Sequence, residues 1–235
     1  MRVPAWDDPR IARGMRRQSA LRAQRLQTGA RVIGWKVGFG APAAMQKLRL
    51  TGPLVGFLLD QAVLPSGASV SVGGWHKPLA EPEIAILLGR DVMGDADDAA
   101  ARAAVAALAP ALEIADADGP MDDVEAILAG DIFQRHVVVG RHDPARAGAR
   151  LDGLSGRVDR SGEAVAVPAD LQANTGDLIA IVRQVAAVAA QFADGLRAGQ
   201  FIIAGSVTPP LFVAPGDSVT FELAPVGTVS VAFGA

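Results

Sequence analysis

The chain has no cysteine among its 235 residues, which excludes disulfide bonds and thiolate chemistry and is compatible with a reducing cytoplasm. Any bound metal ion must then be held by oxygen or imidazole ligands. No apolar run approaches the ~20 residues that cross a bilayer. The arginine-rich N-terminus also lacks the apolar stretch of a secretory signal. We therefore expect a cytoplasmic protein with no membrane partner; the arginines fit the solvated face of a first helix, with an organellar transit peptide as the alternative.

Several signatures of known function classes are missing as well. The sequence has no nucleophile elbow, no dinucleotide fingerprint and no basic patch interleaved with aromatic residues. Its formal net charge of −3 argues against nucleic acid as the main partner. The histidines His76, His136 and His142 have no metal-ligand spacing. Half of the residues are hydrophobic, so a sizeable core can form.

Short apolar runs punctuated by glycine and proline dominate the chain after residue 30, which favours β-strands. We predict strands at 31–39, 54–59, 68–72, 84–88, 111–115, 137–140, 151–158, 200–204, 218–223 and 228–233. Helices are predicted at 7–29, at 41–50, at 97–109 (ending at Pro110) and at 177–198, where apolar residues form one stripe. No repeat or linker splits the chain. The sequence predicts an α+β fold in a single domain, 1–235, with an N-terminal helical segment (1–30) and a sheet-rich body (31–235).

Two glutamates flank a proline at the start of an apolar run, Glu81-Pro-Glu-Ile-Ala85. Residues two apart in a strand point to the same face, so both carboxylates should project together. Pro82 cannot donate to a neighbouring strand, which predicts an edge or a strand start here. Two adjacent like charges repel unless a cation or a shared proton compensates them.

A third glutamate, Glu113, interrupts another apolar strand and takes the face opposite Leu112 and Ile114. Burying an isolated carboxylate is costly, and binding a metal ion is one way to offset that cost. Three carboxylates without cysteine suit a hard cation such as Mg²⁺ or Mn²⁺. The alternative is that all three glutamates face solvent on half-exposed strands.

Lys36 lies between two glycines in Gly34-Trp-Lys-Val-Gly38. Alternation places the lysine and both glycines on one face, which leaves room around an ammonium that is short of local counter-charge. Such a lysine can hold an anionic substrate, or act as an acid once burial lowers its pKa. A lysine that protects an edge strand from aggregation is the alternative.

Two further runs end in polar residues. Asp60 closes Gly56-Phe-Leu-Leu-Asp60 and is either a turn residue or a group that handles protons. Ser206 and Thr208, in Gly205-Ser-Val-Thr208, can bind a substrate carboxylate through hydroxyl and backbone N–H groups, or simply form a turn.

Taken in order, these runs resemble the fumarylacetoacetate hydrolase superfamily, and within it the 2-oxopent-4-enoate hydratase and 4-oxalocrotonate decarboxylase group. The resemblance extends from about residue 30 to the end of the chain. The matching runs are Gly34-Trp-Lys-Val-Gly38, Gly56-Phe-Leu-Leu-Asp60, Glu81-Pro-Glu-Ile-Ala85, Leu88-Gly-Arg-Asp91, Ala111-Leu-Glu-Ile-Ala-Asp116, Gly205-Ser-Val-Thr208, Gly216-Asp217, Gly227-Thr-Val-Ser230 and Phe233.

The resemblance implies a mixed β-sheet roll with a few peripheral helices. It implies that Glu81, Glu83 and Glu113 bind Mg²⁺ or Mn²⁺, and that Lys36 and Asp60 face a small 2-oxo acid. The acid would chelate the metal through its carboxylate and 2-oxo oxygen, so that the cation stabilises an enolate. The implied reaction is the addition of water to a 2-hydroxy-2,4-dienoate in the breakdown of aromatic compounds, carried out by a homo-oligomer.

Three alternatives stay open at this point. A decarboxylase uses the same enolate but releases carbon dioxide. An acylpyruvate hydrolase often has a histidine in an N-terminal lid, and no histidine precedes His76. A non-catalytic partner subunit is the third, because the substrate side departs from the family. Residues 130–134 keep only Asp131 of an Asp-Asn-Ala-type run, residues 174–177 replace a Gly-Asn-Pro element, and Pro209 replaces an arginine.

Overall fold

A computed structural model of the protein describes residues 5–235. Within that range the chain forms five α-helices and thirteen β-strands. The helices are α1 (Pro9–Gln27), α2 (Pro42–Leu48), α3 (Asp98–Ala104), α4 (Val124–Ala129) and α5 (Leu178–Phe192). The strands are β1 (Val32–Gly38), β2 (Leu54–Leu59), β3 (Val63–Leu64), β4 (Ala68–Ser71), β5 (Pro78–Leu88), β6 (Val105–Asp116), β7 (Gln134–Val139), β8 (Ser155–Arg160), β9 (Glu163–Ala166), β10 (Phe201–Ser206), β11 (Leu211–Phe212), β12 (Ser218–Ala224) and β13 (Gly227–Gly234).

The strands form two mixed sheets. The larger has the order β2-β1-β10-β5-β6-β7-β3, with β11 added alongside β5, and the smaller has the order β4-β13-β12-β8-β9. Strands β2 and β3 lie at opposite ends of the strand order of the larger sheet, yet only residues 60–62 separate them in the chain. A link of that length spans at most about 14 Å, whereas the outer strands of a flat seven-stranded sheet lie roughly 29 Å apart. The larger sheet must therefore curl, which confirms the predicted roll.

Each face of the larger sheet buries its own apolar cluster. The main core includes the apolar stripe of α5, whose buried residues include Ile181, Val182 and Val185, and strands of the smaller sheet. The second cluster is built by the larger sheet alone and fills the inside of its curl. It consists of Leu58, Ala85, Ala109, Ala111, Val137, Phe201 and Ile203. Small alanines suit this inner face, because a tightly curled sheet leaves little room between its own strands.

The N-terminal helix is fixed by a cap and by buried contacts. The Asp8 side chain accepts a hydrogen bond from the Arg10 N–H at 2.9 Å, and Pro9 occupies the first turn. The buried Gln18 donates to the carbonyls of Val55 (3.1 Å) and Leu128 (3.0 Å), which ties α1 to β2 and α4. Across residues 5–235, no helix is long and apolar enough to span a membrane.

The structure corrects three predictions from the sequence. The helix at 97–109 is wrong beyond residue 104, because the alanine-rich chain continues as β6 and Pro110 lies inside that strand, opposite Ile84. Pairing with β5 and β7 overrides the helical propensity of alanine there. The helix at 177–198 ends at Phe192. Strand β5 is central rather than an edge. Pro82 is tolerated there because it lies in a gap between two neighbouring strands on one side of β5. The pairing of β5 with β10 ends at Glu83, and its pairing with β11 begins at Ala80. Helix α4 and strands β3, β9 and β11 were not predicted.

Candidate active site

Strands β5 and β6 bring three glutamates together. The antiparallel register places Glu81 directly opposite Glu113, and Glu83 is two residues further along the same face. One carboxylate oxygen from each residue lies within 4.8 Å of the other two. Glu83 and Glu113 are buried, with relative exposures of 1% and 0%, and Glu81 is half-buried. The alternative of three solvent-facing side chains therefore does not hold.

Lys36 points into the same cluster from β1. This strand lies between β2 and β10, and Lys36 is only 1% exposed, so it is not an edge-strand lysine. Its Nζ donates to Glu113 Oε1 and, at 3.1 Å, to the Ile132 carbonyl. Burial by itself lowers the pKa of Lys36, but the charges of Glu113 and Glu81 outweigh it and the net shift is upward. The ammonium is thus not short of counter-charge, since the sheet supplies Glu113 from 77 residues away.

The room for the lysine comes from a glycine on the neighbouring strand. A Cβ at Gly56, which pairs with Lys36, would lie 3.0 Å from Lys36 Cγ and 2.7 Å from Asp131 Oδ1. The glycines that flank Lys36 have other reasons to be small. A Cβ at Gly34 would lie 2.2 Å from the Phe201 carbonyl oxygen, and one at Gly38 would lie 2.9 Å from Ile132 Cγ2.

A strained turn at residues 131–133 completes the cluster. Asp131, Ile132 and Phe133 all have left-handed backbone angles, with φ of 56°, 53° and 64°. Each such residue costs roughly 1–2 kcal/mol when it is not glycine. The turn presents the Ile132 carbonyl to Lys36 and buries the Asp131 carboxyl, whose Oδ1 accepts the Phe57 N–H at 2.9 Å. Strain of this kind is typical of functional sites.

Negative charge exceeds positive charge in this cluster. Four carboxyl groups lie around Lys36, those of Glu81, Glu83, Glu113 and Asp131. Among the described residues, Lys36 supplies the only ammonium of this cluster. Burial, followed by the charge of Glu113, raises the pKa of Glu81 to about 7 and that of Glu83 well above its usual value. Burial likewise raises the pKa of Asp131 to about 7. Glu113 Oε2 and Asp131 Oδ2 are buried without a hydrogen-bond partner among residues 5–235.

These shifts tie the stability of the metal-free protein to pH. Glu81 titrates near 7 in the folded protein and near its ordinary value of 4.5 in the unfolded chain. Between those pH values the folded state holds more protons than the unfolded chain, so the free energy of unfolding falls as pH rises. For this one group the total change is about 3 kcal/mol. Burial is the larger cause of this shift and the charge of Glu113 the smaller, and a bound cation would oppose both by favouring the ionised carboxylate.

A cavity of about 220 Å³ opens beside Lys36 and Glu81. Ser206 lines it, and the Ser206 hydroxyl donates to the Pro82 carbonyl at 3.4 Å. Thr208 is buried next to the cavity wall, with its hydroxyl donating to the Pro209 carbonyl at 3.1 Å. The Asn174 side chain, which was not predicted to take part, holds this turn in place by donating to the carbonyls of Ser206 and Thr208.

Asp60 is not brought to the cluster. It follows the far end of β2, four residues after Gly56 and so about 13 Å along the strand. Its carboxylate accepts the Arg31 N–H at 3.0 Å and the Arg31 Nε–H at 2.9 Å. The predicted position of Asp60 beside the substrate is therefore corrected, and Asp131 is the aspartate that lies near Lys36.

The chain matches one protein family and several named proteins. Residues 35–233 match the family model described as fumarylacetoacetate (FAA) hydrolase C-terminal. A 4-oxalocrotonate decarboxylase of Pseudomonas sp is 31% identical over 219 residues, covering 91% of this chain and 83% of the relative. A 2-keto-4-pentenoate hydratase of Paraburkholderia xenovorans is 28% identical, covering 92% and 81%. The solved 4-oxalocrotonate decarboxylase of Pseudomonas putida, complexed with magnesium and adipate, superimposes with a TM-score of 0.84 at 26% identity, covering 92% and 83%.

Proposed function

Because the chain belongs to the fumarylacetoacetate hydrolase family, we propose that it is a divalent-metal-dependent lyase. It adds water to a 2-hydroxy-2,4-dienoate, in the breakdown of aromatic compounds. The observation that carries this proposal is the convergence of three glutamate carboxylates and a buried lysine beside one small cavity. The similar hydratase and decarboxylase support the lyase class.

Glu81, Glu83 and Glu113 would hold Mg²⁺ or Mn²⁺. The site fits such an ion because it offers only oxygen ligands and because Glu113 Oε2 lacks a hydrogen-bond partner within the described part of the chain. Burial, and then the charge of Glu113, raise the pKa of Glu81 and Glu83, and a cation would compensate for both effects. The similar decarboxylase has been solved with magnesium and with calcium. When bound, the cation supplies the positive charge that stabilises an enolate of a 2-oxo acid.

Lys36 is the proposed proton donor. In the first step the dienol loses its 2-hydroxyl proton and gains one at the terminal carbon, which gives an unsaturated 2-oxo acid. In the second step water adds across the remaining carbon–carbon double bond, with the hydroxyl going to the carbon further from the oxo group. Lys36 lines the cavity and is held by Glu113 and the Ile132 carbonyl, so its ammonium is positioned to deliver the first proton.

Asp131 takes the place that the sequence assigned to Asp60. It is buried beside Lys36, and its negative charge favours the ammonium form of the lysine. Ser206 and the backbone around Gly205 line the cavity beside Glu81, where they can orient the substrate carboxylate. Thr208 supports Ser206 through the turn that Asn174 holds.

Decarboxylation of a 4-oxalocrotonate-type acid is the second candidate, and the 31% identical relative favours it. It needs the same enolate and loses carbon dioxide instead of gaining water. The complete set of three glutamates and Lys36 argues against a degenerate, non-catalytic subunit. A cytoplasmic location and a homo-oligomeric assembly remain part of the proposal, and light scattering after gel filtration tests the assembly.

One incubation tests the function. The protein is supplied with Mg²⁺ and either 2-hydroxypenta-2,4-dienoate or 4-oxalocrotonate, and the products are identified by NMR. A hydratase converts the first acid to 4-hydroxy-2-oxopentanoate, whereas a decarboxylase releases carbon dioxide from the second. No conversion of either acid by folded, Mg²⁺-saturated protein would contradict the lyase proposal.

A further inference from the structure

We infer that the cavity selects 2-oxo acids whose tail is uncharged and apolar over 2-oxo dicarboxylates of the same length. The inference rests on the proposed function in one respect, because it assumes that the 2-oxo acid end of the ligand faces the three glutamates. It goes further by naming the substrate class. It favours hydration of alkyl dienoates over decarboxylation of a dicarboxylate.

The charges around the cavity carry the first part of the argument. Among the described residues that line it, Lys36 is the only one with a cationic side chain, and its ammonium already bonds Glu113 and the Ile132 carbonyl. A divalent cation on the three glutamates would neutralise the 2-oxo acid end alone. A second carboxylate on the tail would then enter a low-dielectric cavity beside four carboxyl groups, without a positive partner.

The polar side chains of the wall do not compensate for this. Asn174 uses its amide to donate to the Ser206 carbonyl at 2.9 Å and the Thr208 carbonyl at 3.2 Å. Thr175 Oγ1 donates to the Gly176 carbonyl at 3.2 Å, and Ser206 Oγ donates to Pro82. The donors of Asn174 and Thr175 are therefore committed to the protein itself, and the Ser206 hydroxyl is committed to Pro82 or to the carboxylate of the 2-oxo acid end. A buried tail carboxylate would have to displace one of these contacts.

Two basic residues lie two positions along the chain from residues of the cavity wall. Each of them already contacts another side chain. Lys77, which precedes Leu79, places its Nζ 4.4 Å from the centre of the Phe212 ring. Arg135, which follows Phe133, bonds Asp118 at 2.5 Å. Using either cation for a ligand would require breaking an existing contact.

The rest of the wall suits an apolar tail. It includes Phe39, Ala44, Leu79, Met121, Phe133 and Pro210. The volume of about 220 Å³ equals roughly seven waters at their liquid volume and lies below the roughly 300–1,000 Å³ of pockets for drug-sized ligands. Each methylene of a tail buried here should tighten binding about fourfold. The cavity thus fits a short acid whose tail ends in a methyl or similar group.

Binding of two unreactive acids tests the inference separately from turnover. Mg²⁺-loaded protein is titrated by calorimetry with 2-oxohexanoate and with 2-oxoadipate, which have equal carbon counts and no double bond to hydrate. We expect 2-oxohexanoate to bind at least about tenfold more tightly, because a buried carboxylate left unpaired loses its hydration. Equal or tighter binding of 2-oxoadipate overturns the inference and leaves the lyase proposal standing. If neither acid binds, the proposed function fails, and the inference fails with it.

A matched pair of variants locates the selection. Met121 lines the cavity and is 39% exposed, so Met121→Lys would place an ammonium at the mouth. This variant should shift the affinity ratio toward 2-oxoadipate by about tenfold, the usual effect of one charge-assisted hydrogen bond. Met93→Lys is the control, because Met93 is 69% exposed and lies outside the cavity. If Met121→Lys still binds 2-oxohexanoate but leaves the affinity ratio of the two acids unchanged, the apolar wall of the cavity is not the cause of the selection.

Discussion

Replacing Lys36 with methionine removes the one ammonium that the described residues place among four carboxyl groups, while nearly keeping the side-chain volume. Breaking a buried ion pair by removing one partner costs about 3–5 kcal/mol, because the other charge stays buried. For a chain of this size, each kcal/mol lowers the melting temperature by roughly 2–4 °C. Metal-free Lys36→Met should therefore melt roughly 6–20 °C below the metal-free wild type. Saturating Mg²⁺ should recover part of that loss, since the cation would compensate the glutamates.

The same variant should lose catalysis even where it is folded. If Lys36 delivers a proton to the dienolate, kcat in saturating Mg²⁺ should fall by roughly 10²–10⁴. Lys36→Arg should not restore it fully, because a planar guanidinium cannot replace a compact ammonium. Lys47→Met is the matched control, because Lys47 is exposed on α2 and its loss should change neither melting nor turnover.

Two results would refute this reasoning. Unchanged turnover of Lys36→Met, measured by the loss of dienoate absorbance, removes Lys36 from the mechanism. An unchanged melting temperature in chelator, measured by differential scanning calorimetry, contradicts the buried ion pair with Glu113.

Three further predictions concern Gly56 on β2, the raised pKa of Glu81 and the position of Asp60. Gly56→Ala should destabilise the protein by about 1–3 kcal/mol in denaturant titrations and lower kcat, because its Cβ would press on Lys36 and Asp131; unchanged values would contradict the close packing. In chelator, the free energy of unfolding should fall between pH 4.5 and 7, with about 3 kcal/mol of the fall coming from Glu81 and a further part from Asp131 and Glu83, whose pKa values burial also raises; Mg²⁺ should flatten that slope, and a rise with pH would contradict it. Asp60→Asn should change stability little, because the ion pair of Asp60 with Arg31 is exposed to solvent, and should leave turnover unaltered, whereas a large loss of turnover would restore Asp60 to the mechanism.

The sequence predicts well those features of the site that depend on one strand alone. Strand period alone places Glu81 and Glu83 on one face, and the apolar runs predict β1, β2 and β10 to within one or two residues. What it cannot supply is the register between distant strands. Glu81 meets Glu113, and Lys36 meets Glu113, only because β5, β6 and β1 occupy particular positions in the larger sheet.

The errors have identifiable physical causes. Alanine favours helix locally, so the sequence could not show that residues 105–109 extend β6. Asp60 ends the strand that carries Gly56, but at the end away from Lys36. The left-handed turn that positions Asp131 uses no glycine, so backbone propensity does not mark it, and the signal in the sequence is the match of Asp131 to the family's Asp-Asn-Ala-type run. The single-domain assignment stays a prediction.

The central claim is that Glu81, Glu83 and Glu113 hold one divalent cation, and manganese binding tests it most directly. Chelator-treated, desalted protein is titrated with Mn²⁺, and the free ion is followed by electron paramagnetic resonance. The wild type should bind one Mn²⁺ per chain, and Glu83→Gln should weaken that binding by about 10-fold or more, since a buried charged ligand is lost. Equal stoichiometry and affinity in the wild type and in Glu83→Gln would contradict the account.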